Sequence, residues 1–203
     1  MTVALIIGGG RSKRMGTDKA ELTLDGRTLL ERAIDAVSDA SLVVVVAQET
    51  DLRPAESWPR VHFTLENPPF GGPVAGIAAG VAQLTERGDA ETVVVLPVDA
   101  PAVAEAAAQL AAARPGRDGV VLQDQQGWSQ YLLGRYRLGS LRRALSELGS
   151  IRDVSVRRLG DLMEVSRVPV DTRITIDVDT PQEAREAGIT VPDEAAGDAG
   201  ASS

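Results

Sequence analysis

Apolar residues fall in short unbroken runs, and amphipathic stretches separate them. Residues 3–7, Leu42–Val46 and 92–96 are β-branched or aliphatic almost throughout. Runs of this length predict strands buried on both faces, as in a parallel sheet. Residues 61–65 predict a further strand, with the single His62 in its middle. A helix begins at Thr28, where Thr28 and Glu31 form a capping box and Leu29, Leu30, Ala33, Ile34 and Val37 make one apolar face. Pro73 suits the first turn of a second helix. Helices are also predicted over 102–113, over Leu138–Leu148 with Gly149 as its stop, and from Ser150–Asp153 to about Leu162. Residues 120–122, 128–133 and 163–170 read as strands. Residues 174–179 read as an extended segment that puts Asp177 and Asp179 on one face. Thr180, Pro181 and Glu183 then start a last helix. Strands alternating with helices predict an α/β fold with a mostly parallel sheet flanked by helices. Residues 1–191 form one domain on this reading, without internal repeats. Residues 192–203, rich in small and acidic residues, are expected to be a disordered tail.

Composition narrows the chemistry. The 203 residues are 43% hydrophobic and 25% charged, an ordinary globular balance. The net charge is −8, which argues against a general nucleic-acid surface. There is no cysteine and one histidine, so disulfides, iron–sulfur clusters and Cys- or multi-His metal sites are excluded. Oxygen ligands remain, and these suit Mg²⁺ or Mn²⁺. No apolar run reaches the ~18 residues of a membrane span, and none reads as a signal peptide, so a cytoplasmic protein without membrane contact is expected.

Against that acidic background the first loop stands out. The strand at 3–7 runs into Gly8, Gly9 and Gly10, and Arg11, Lys13, Arg14 and Lys19 follow. Glycines after a buried strand let a ligand approach backbone N–H groups, which bind anions when curled into a nest. Arginine adds a bidentate grip on phosphate. The pattern predicts a polyphosphate loop, with Ile7, Gly8, Gly9, Gly10, Arg11 and Lys19 around the phosphates. It is not a P-loop, because Thr17 follows Gly16. It is not a dinucleotide fingerprint either, because Lys13 stands where the third glycine belongs.

Three further places carry candidate chemistry. Gln48 lies just past a strand's carboxyl end, where open α/β sheets meet ligands. Residues 66–77 join a Pro/Gly-rich loop holding Asn67 and Gly72 to a helix with Gly76; a nucleotide-facing loop and a close helix–sheet contact both fit. Asp99 ends a strand between Pro97 and Pro101, and reads either as a metal carboxylate or as a helix cap. Asp177 and Asp179, on one face of their segment, read on their own as solvated loop residues.

Residues 9–19 match the pattern G-G-R-S-x-R-M-G-x-D-K, and so resemble the molybdenum cofactor guanylyltransferases, the MobA-like members of the nucleotidyltransferase superfamily. Gly72-Pro73-Val74-Ala75-Gly76-Ile77 resembles the family's second motif, Asp99 its metal aspartate, and the stretch Asp177 to Glu183 its closing motif. Gln130, Leu132 and Tyr136 fit a pattern that borders the second substrate, although Tyr131 replaces its proline. Asn67 stands where the family often has aspartate. The resemblance implies a Rossmann-like nucleotidyltransferase fold and GMP transfer from GTP to a molybdopterin-type cofactor. Lys19, Arg14 and Asp99 would be catalytic, Asp99, Asp177 and Asp179 would hold Mg²⁺ or Mn²⁺, and Gln130 and Tyr131 would meet the acceptor. A molybdoenzyme or cofactor-insertion protein is the implied protein partner. The same signature serves transferases that use CTP or act on phosphosugars or phospholactate. A regulatory nucleotide-binding protein would share its first loop.

Overall fold

A computed structural model describes residues 2–8, 19–47, 58–89 and 91–191. In chain order the elements are β1 (Thr2–Ile7), a 3-10 turn (Lys19–Glu21), β2 (Thr23–Leu24), β3 (Arg27–Thr28), α1 (Leu29–Ala36), β4 (Leu42–Val46), β5 (Val61–Thr64), α2 (Pro73–Ala82), β6 (Thr92–Pro97) and α3 (Val103–Ala112). They continue with β7 (Gly119–Gln123), β8 (Ser129–Arg137), α4 (Leu138–Leu148), α5 (Val156–Gly160), β9 (Val165–Pro169), α6 (Thr172–Thr175) and α7 (Pro181–Glu186).

Seven strands form one sheet in the order β5-β4-β1-β6-β8-β7-β9, and β2 and β3 make a separate hairpin. β1 pairs in parallel with β4 and β6, and β5 in parallel with β4. β8 runs against both β6 and β7, while β9 is parallel to β7. Six of the seven strands therefore point the same way, and their carboxyl ends share one edge. The mostly parallel sheet predicted from the apolar runs is the observed one.

The strand alternation builds two cores. Ala4, Ile6, Val43, Val45 and Leu96 face α1 and α3, where Leu30, Ile34, Ala106 and Leu110 meet them. Val3, Leu5, Val44, Val46, Val93 and Val95 face α2, α4 and α5 through Ile77, Leu141 and Leu159. Burying each such side chain contributes about 1.5–3 kcal/mol. A smaller cluster of Leu22, Leu29, Val178, Ala184 and Ile189 ties the hairpin region to the segment before α7. Both capping boxes form, Thr28 with Glu31 and Thr180 with Glu183.

Three elements differ from the sequence reading. No helix runs from Ser150–Asp153 to Leu162. Residues 152–153 form a turn with Asp153 at φ 55°, and α5 starts only after Ser155, whose hydroxyl accepts from the Arg158 amide. The supposed strand 128–133 continues to Arg137 with a break in its register. Val121 pairs with Gly134 but Leu122 pairs with Gln130, which leaves residues 131–133 out of the ladder with β7. Residues 174–175 close a helical turn, because the Asp171 carboxylate accepts from the Arg173 amide and caps α6.

Candidate active site

The carboxyl edge gathers the charged residues. Asp99 leaves the end of β6, two residues beyond Pro97, and the helix-capping alternative fails. Ala102 is the N-cap of α3, with no side-chain cap. The Val178 amide donates to the Asp99 carbonyl at 3.1 Å, and the Val178 side chain is fully buried. That anchor holds Asp177 and Asp179, on either side of it, against the end of β6. The Glu183 carboxylate accepts from the Asp179 and Thr180 amides at 2.9 Å each, so the cap of α7 also fixes the backbone of Asp179.

Asp99, Asp177 and Asp179 each bring a carboxylate oxygen within 4.8 Å of the others. Lys19 closes the group from the other end of the chain. Its ammonium donates to Asp99 Oδ2 at 2.7 Å and to Asp179 Oδ1 at 2.6 Å. Beside it, Ala20 is buried and seats the 3-10 turn. Burial alone would lower the Lys19 pKa, but the Asp99 charge and the Asp179 hydrogen bond outweigh it and raise the pKa. The lysine is therefore a fixed cation at neutral pH. Among the described residues Asp177 makes no such pairing. Desolvation first, and the neighbouring Asp99 second, raise its pKa. Three carboxylates with oxygen-only donors fit a hard divalent cation such as Mg²⁺ or Mn²⁺. A cleft of about 750 Å³ opens beside them, lined by Pro101, Ala102, Glu105, Arg173, Ile176 and Asp177. That volume suits a small-molecule substrate.

The nucleotide-side residues divide. Gly8 sits at the end of β1 and donates its amide to Val46, and a Cβ there would stand 3.0 Å from that of Ala47. Ile7 is different, with its side chain in the core and its carbonyl taken by the Val98 amide. Gly72, at φ 87°, is the N-cap of α2, and a Cβ there would meet nothing. Gly76 is buried, and a Cβ on it would touch Ile7 and Val46, so it serves the close helix–sheet contact instead of an open pocket. Asn67 is exposed in the loop between β5 and α2. Gly9, Gly10, Arg11, Arg14 and Gln48 lie outside the described residues.

The acceptor-side residues are also redistributed. Tyr131 is buried, and its ring lies against Gly160 so closely that a Cβ there would overlap it. Its carbonyl accepts from the Tyr136 hydroxyl at 2.6 Å. Tyr131 is a core residue of the out-of-register stretch. Gln130 is half-buried and donates to Asp124 Oδ2 at 3.1 Å.

Sequence reasoning passed over two residues near this edge. Arg152 donates to the Pro68 carbonyl at 2.6 Å, and the Asp153 amide donates to the Gly71 carbonyl, so the turn before α5 clamps the loop before α2. Glu66, buried in that loop, accepts from the Gly71 amide. Neither had a signal beyond a charged residue near Pro or Gly.

Comparison with known proteins places this geometry. A model of the MobA-like NTP transferase domain matches residues 4–162. A molybdenum cofactor guanylyltransferase of Xanthomonas euvesicatoria is 32% identical over 169 residues, covering 82% of each chain. One of Rhizobium meliloti is 34% identical over 99 residues, 48% of this chain and 45% of that protein. The chain thus spans about half the length of the latter relative. The crystal structure of molybdopterin-guanine dinucleotide biosynthesis protein A from Archaeoglobus fulgidus superposes with a TM-score of 0.57 at 21% identity, over 92% of this chain and 96% of that one. The last likeness shows the fold alone. The family match covers every element from β1 to α5, including the strand that ends in Asp99, and the chain belongs to the MobA-like NTP transferase domain family.

Proposed function

We propose that the protein transfers GMP from GTP to the terminal phosphate of a molybdopterin-type cofactor and releases pyrophosphate. The observation that carries this reading is the Lys19 ammonium held between Asp99 and Asp179 beside Asp177, at the carboxyl edge of the sheet. The names of the relatives support the choice of donor and acceptor.

An oxygen of the acceptor phosphate attacks the α-phosphorus of GTP in line. The new P–O bond forms as the bond from the α-phosphorus to the α–β bridging oxygen breaks, and the electron pair leaves on pyrophosphate. A phosphate monoester is already deprotonated at neutral pH, so no general base is required. The protein's task is positioning and charge neutralisation. Asp99, Asp177 and Asp179 would hold Mg²⁺ or Mn²⁺, which supplies neutralisation of phosphate charge. Lys19 would turn its ammonium from the carboxylates to the reacting phosphates. Gly8 and the amides opening α2 at Gly72 would receive the nucleotide, together with Gly9, Gly10, Arg11, Arg14 and Gln48. The same reading puts the protein in the cytoplasm, with a molybdoenzyme or a cofactor-insertion protein receiving its product.

Pyrophosphate release, assayed with each nucleoside triphosphate against molybdopterin and a panel of phosphosugars, tests the proposal. GTP with molybdopterin should be the productive pair, and GTP should raise the melting temperature more than ATP does. Turnover with CTP or with a phosphosugar alone would replace the reading by another transferase. Binding without turnover would make the protein a nucleotide sensor.

A further inference from the structure

Trp128 lies outside the machinery above, and its setting is unusual for a surface tryptophan. It is 58% exposed, at the end of the turn between β7 and β8. That turn is held rigid from within. Asp124 Oδ1 accepts from the Gln126 and Trp128 amides at 2.9 Å each, and Oδ2 accepts from Gln130 Nε2. The Gly127 amide donates to the Asp124 carbonyl, and Gln123 Nε2 donates to the Gly127 carbonyl at 2.9 Å. The turn presents an apolar ring of large area to solvent with little freedom left to lose on binding. The guanidinium of Arg157, on α5, stands 5.8 Å from the ring centroid, within cation–π range. Arg167 fixes the next residue by donating to Ser129 Oγ at 2.9 Å.

Position decides what the ring faces. β7 runs parallel to β6, so the turn after it opens on the same edge as Asp99. Gly8 and α2 adjoin β1 and β4 on one side of β6, and the β8–β7 turn lies on the other. The turn is also tied to the metal-site segment, since Gln125 Nε2 reaches Asp171 Oδ2 at 3.5 Å and Asp171 caps the helical turn that leads to Asp177. Trp128 thus shares the carboxyl edge with the carboxylates, on the side of β6 opposite β1 and Gly8. We propose that Trp128, with Arg157 over its ring, is the stacking platform for the planar pyrimidine part of the acceptor's pterin, and so a residue that selects a pterin over a sugar. The proposal rests on the guanylyl-transfer reading for the identity of that acceptor. Aromatic stacking supplies sequence-independent grip through any π face, and the arginine suits a ligand that also carries phosphate.

The test has two arms. The chain has two tryptophans, and Trp58 packs against the core, so Trp58→Phe leaves Trp128 as the only emitter. Titration with 6-hydroxymethylpterin should quench that emission saturably, and GTP with Mg²⁺ alone should not. In steady-state assays Trp128→Ala should raise KM for the molybdopterin acceptor about tenfold, the scale of one lost stack. Its kcat and the KM for GTP should stay within about twofold, and Trp128→Phe should recover most of the loss. The exposed position makes misfolding an unsuitable explanation for either variant. An unchanged acceptor KM in an enzyme that still transfers GMP overturns the platform and leaves guanylyl transfer standing. So does emission that answers GTP and not pterin. A protein that fails to transfer GMP while Trp128 still answers pterin keeps the platform and discards the donor assignment.

Discussion

Replacing Lys19 with alanine should move metal affinity and turnover in opposite directions. The ammonium contacts two of three carboxylates that lie within 4.8 Å of one another. A divalent cation must share those oxygens with it or displace it. Two unit charges 4 Å apart interact by about 4 kcal/mol at an effective dielectric of 20. The Asp179 side chain is 56% exposed, so solvent screening reduces the effect several-fold. About 1.4 kcal/mol remains, which is tenfold in affinity. Mn²⁺ should therefore bind nucleotide-free Lys19→Ala about tenfold more tightly than the parent protein. Turnover should nevertheless fall by roughly two to three orders of magnitude, the scale of losing one preorganised donor in the transition state. GTP affinity should fall by about tenfold or less, because on the proposed reading backbone amides and arginines also hold the phosphates. Asp99→Asn is the reciprocal control and should weaken Mn²⁺ while also lowering turnover. Electron paramagnetic resonance of free Mn²⁺ and single-turnover kinetics on the same preparations read both quantities. Unchanged or weaker Mn²⁺ binding by Lys19→Ala would refute the competition. Equal losses in turnover and GTP affinity would refute the transition-state role.

Two predictions concern stability. Asp118 is 2% exposed at the start of β7; burial pushes its pKa up, but the Glu164 amide, the Ser140 hydroxyl, Arg117 and Arg143 outweigh that and hold it well below the usual carboxylate range. Asp118→Asn should cost about 3 kcal/mol at pH 7, as for breaking a buried charge pair; because a depressed folded pKa stabilises above the unfolded value near 3.9 and is lost as pH falls, urea melts at pH 3 should show the gap reduced by about 1 kcal/mol. A gap that widens at pH 3 would contradict this. Gly160→Ala should destabilise by about 1–3 kcal/mol through overpacking against the Tyr131 ring, and the double variant with Tyr131→Leu should recover part of it in thermal melts.

The residues that carry charge in a motif were legible because their chemistry lies in their type. Gly8, Lys19, Asp99, Asp177 and Asp179 each followed from what a strand end, a cation or a carboxylate does. Their meeting was not legible from spacing, since Lys19 reaches partners 80 and 160 residues away. What joins them is Val178, which alternation sets on the face opposite Asp177 and Asp179 without showing that its amide meets the Asp99 carbonyl. The reading failed where the local signal belonged to a different element. The stretch from Ser150–Asp153 to about Leu162 read as one helix, but Arg152 and Asp153 are committed to the loop at 68–71, and Ser155 is the true cap. Trp128 sits in a polar turn without periodicity, so its exposure and its arginine partner emerge only in three dimensions.

The place where the carboxylates converge follows from a defect in the sheet. The β6–β8 ladder ends at Val95 and Gly134, while β6 stays paired with β1 as far as Pro97. Residues 131–133 of β8 have no partner in the ladder with β7 at that level, and the Tyr131 ring packs against Gly160. β6 therefore loses one neighbour shortly before it reaches Asp99. The carboxyl end of β6 thus lacks β8 as a partner. Open α/β sheets bind ligands where neighbouring strands part. On one side of β6 lie the end of β1 and the start of α2. On the other lie the rigid turn of Asp124 and the ring of Trp128. The register break that packs Tyr131 against Gly160 is what leaves the end of β6 without β8, and this is why the fit of that tyrosine should bear on activity as well as on stability.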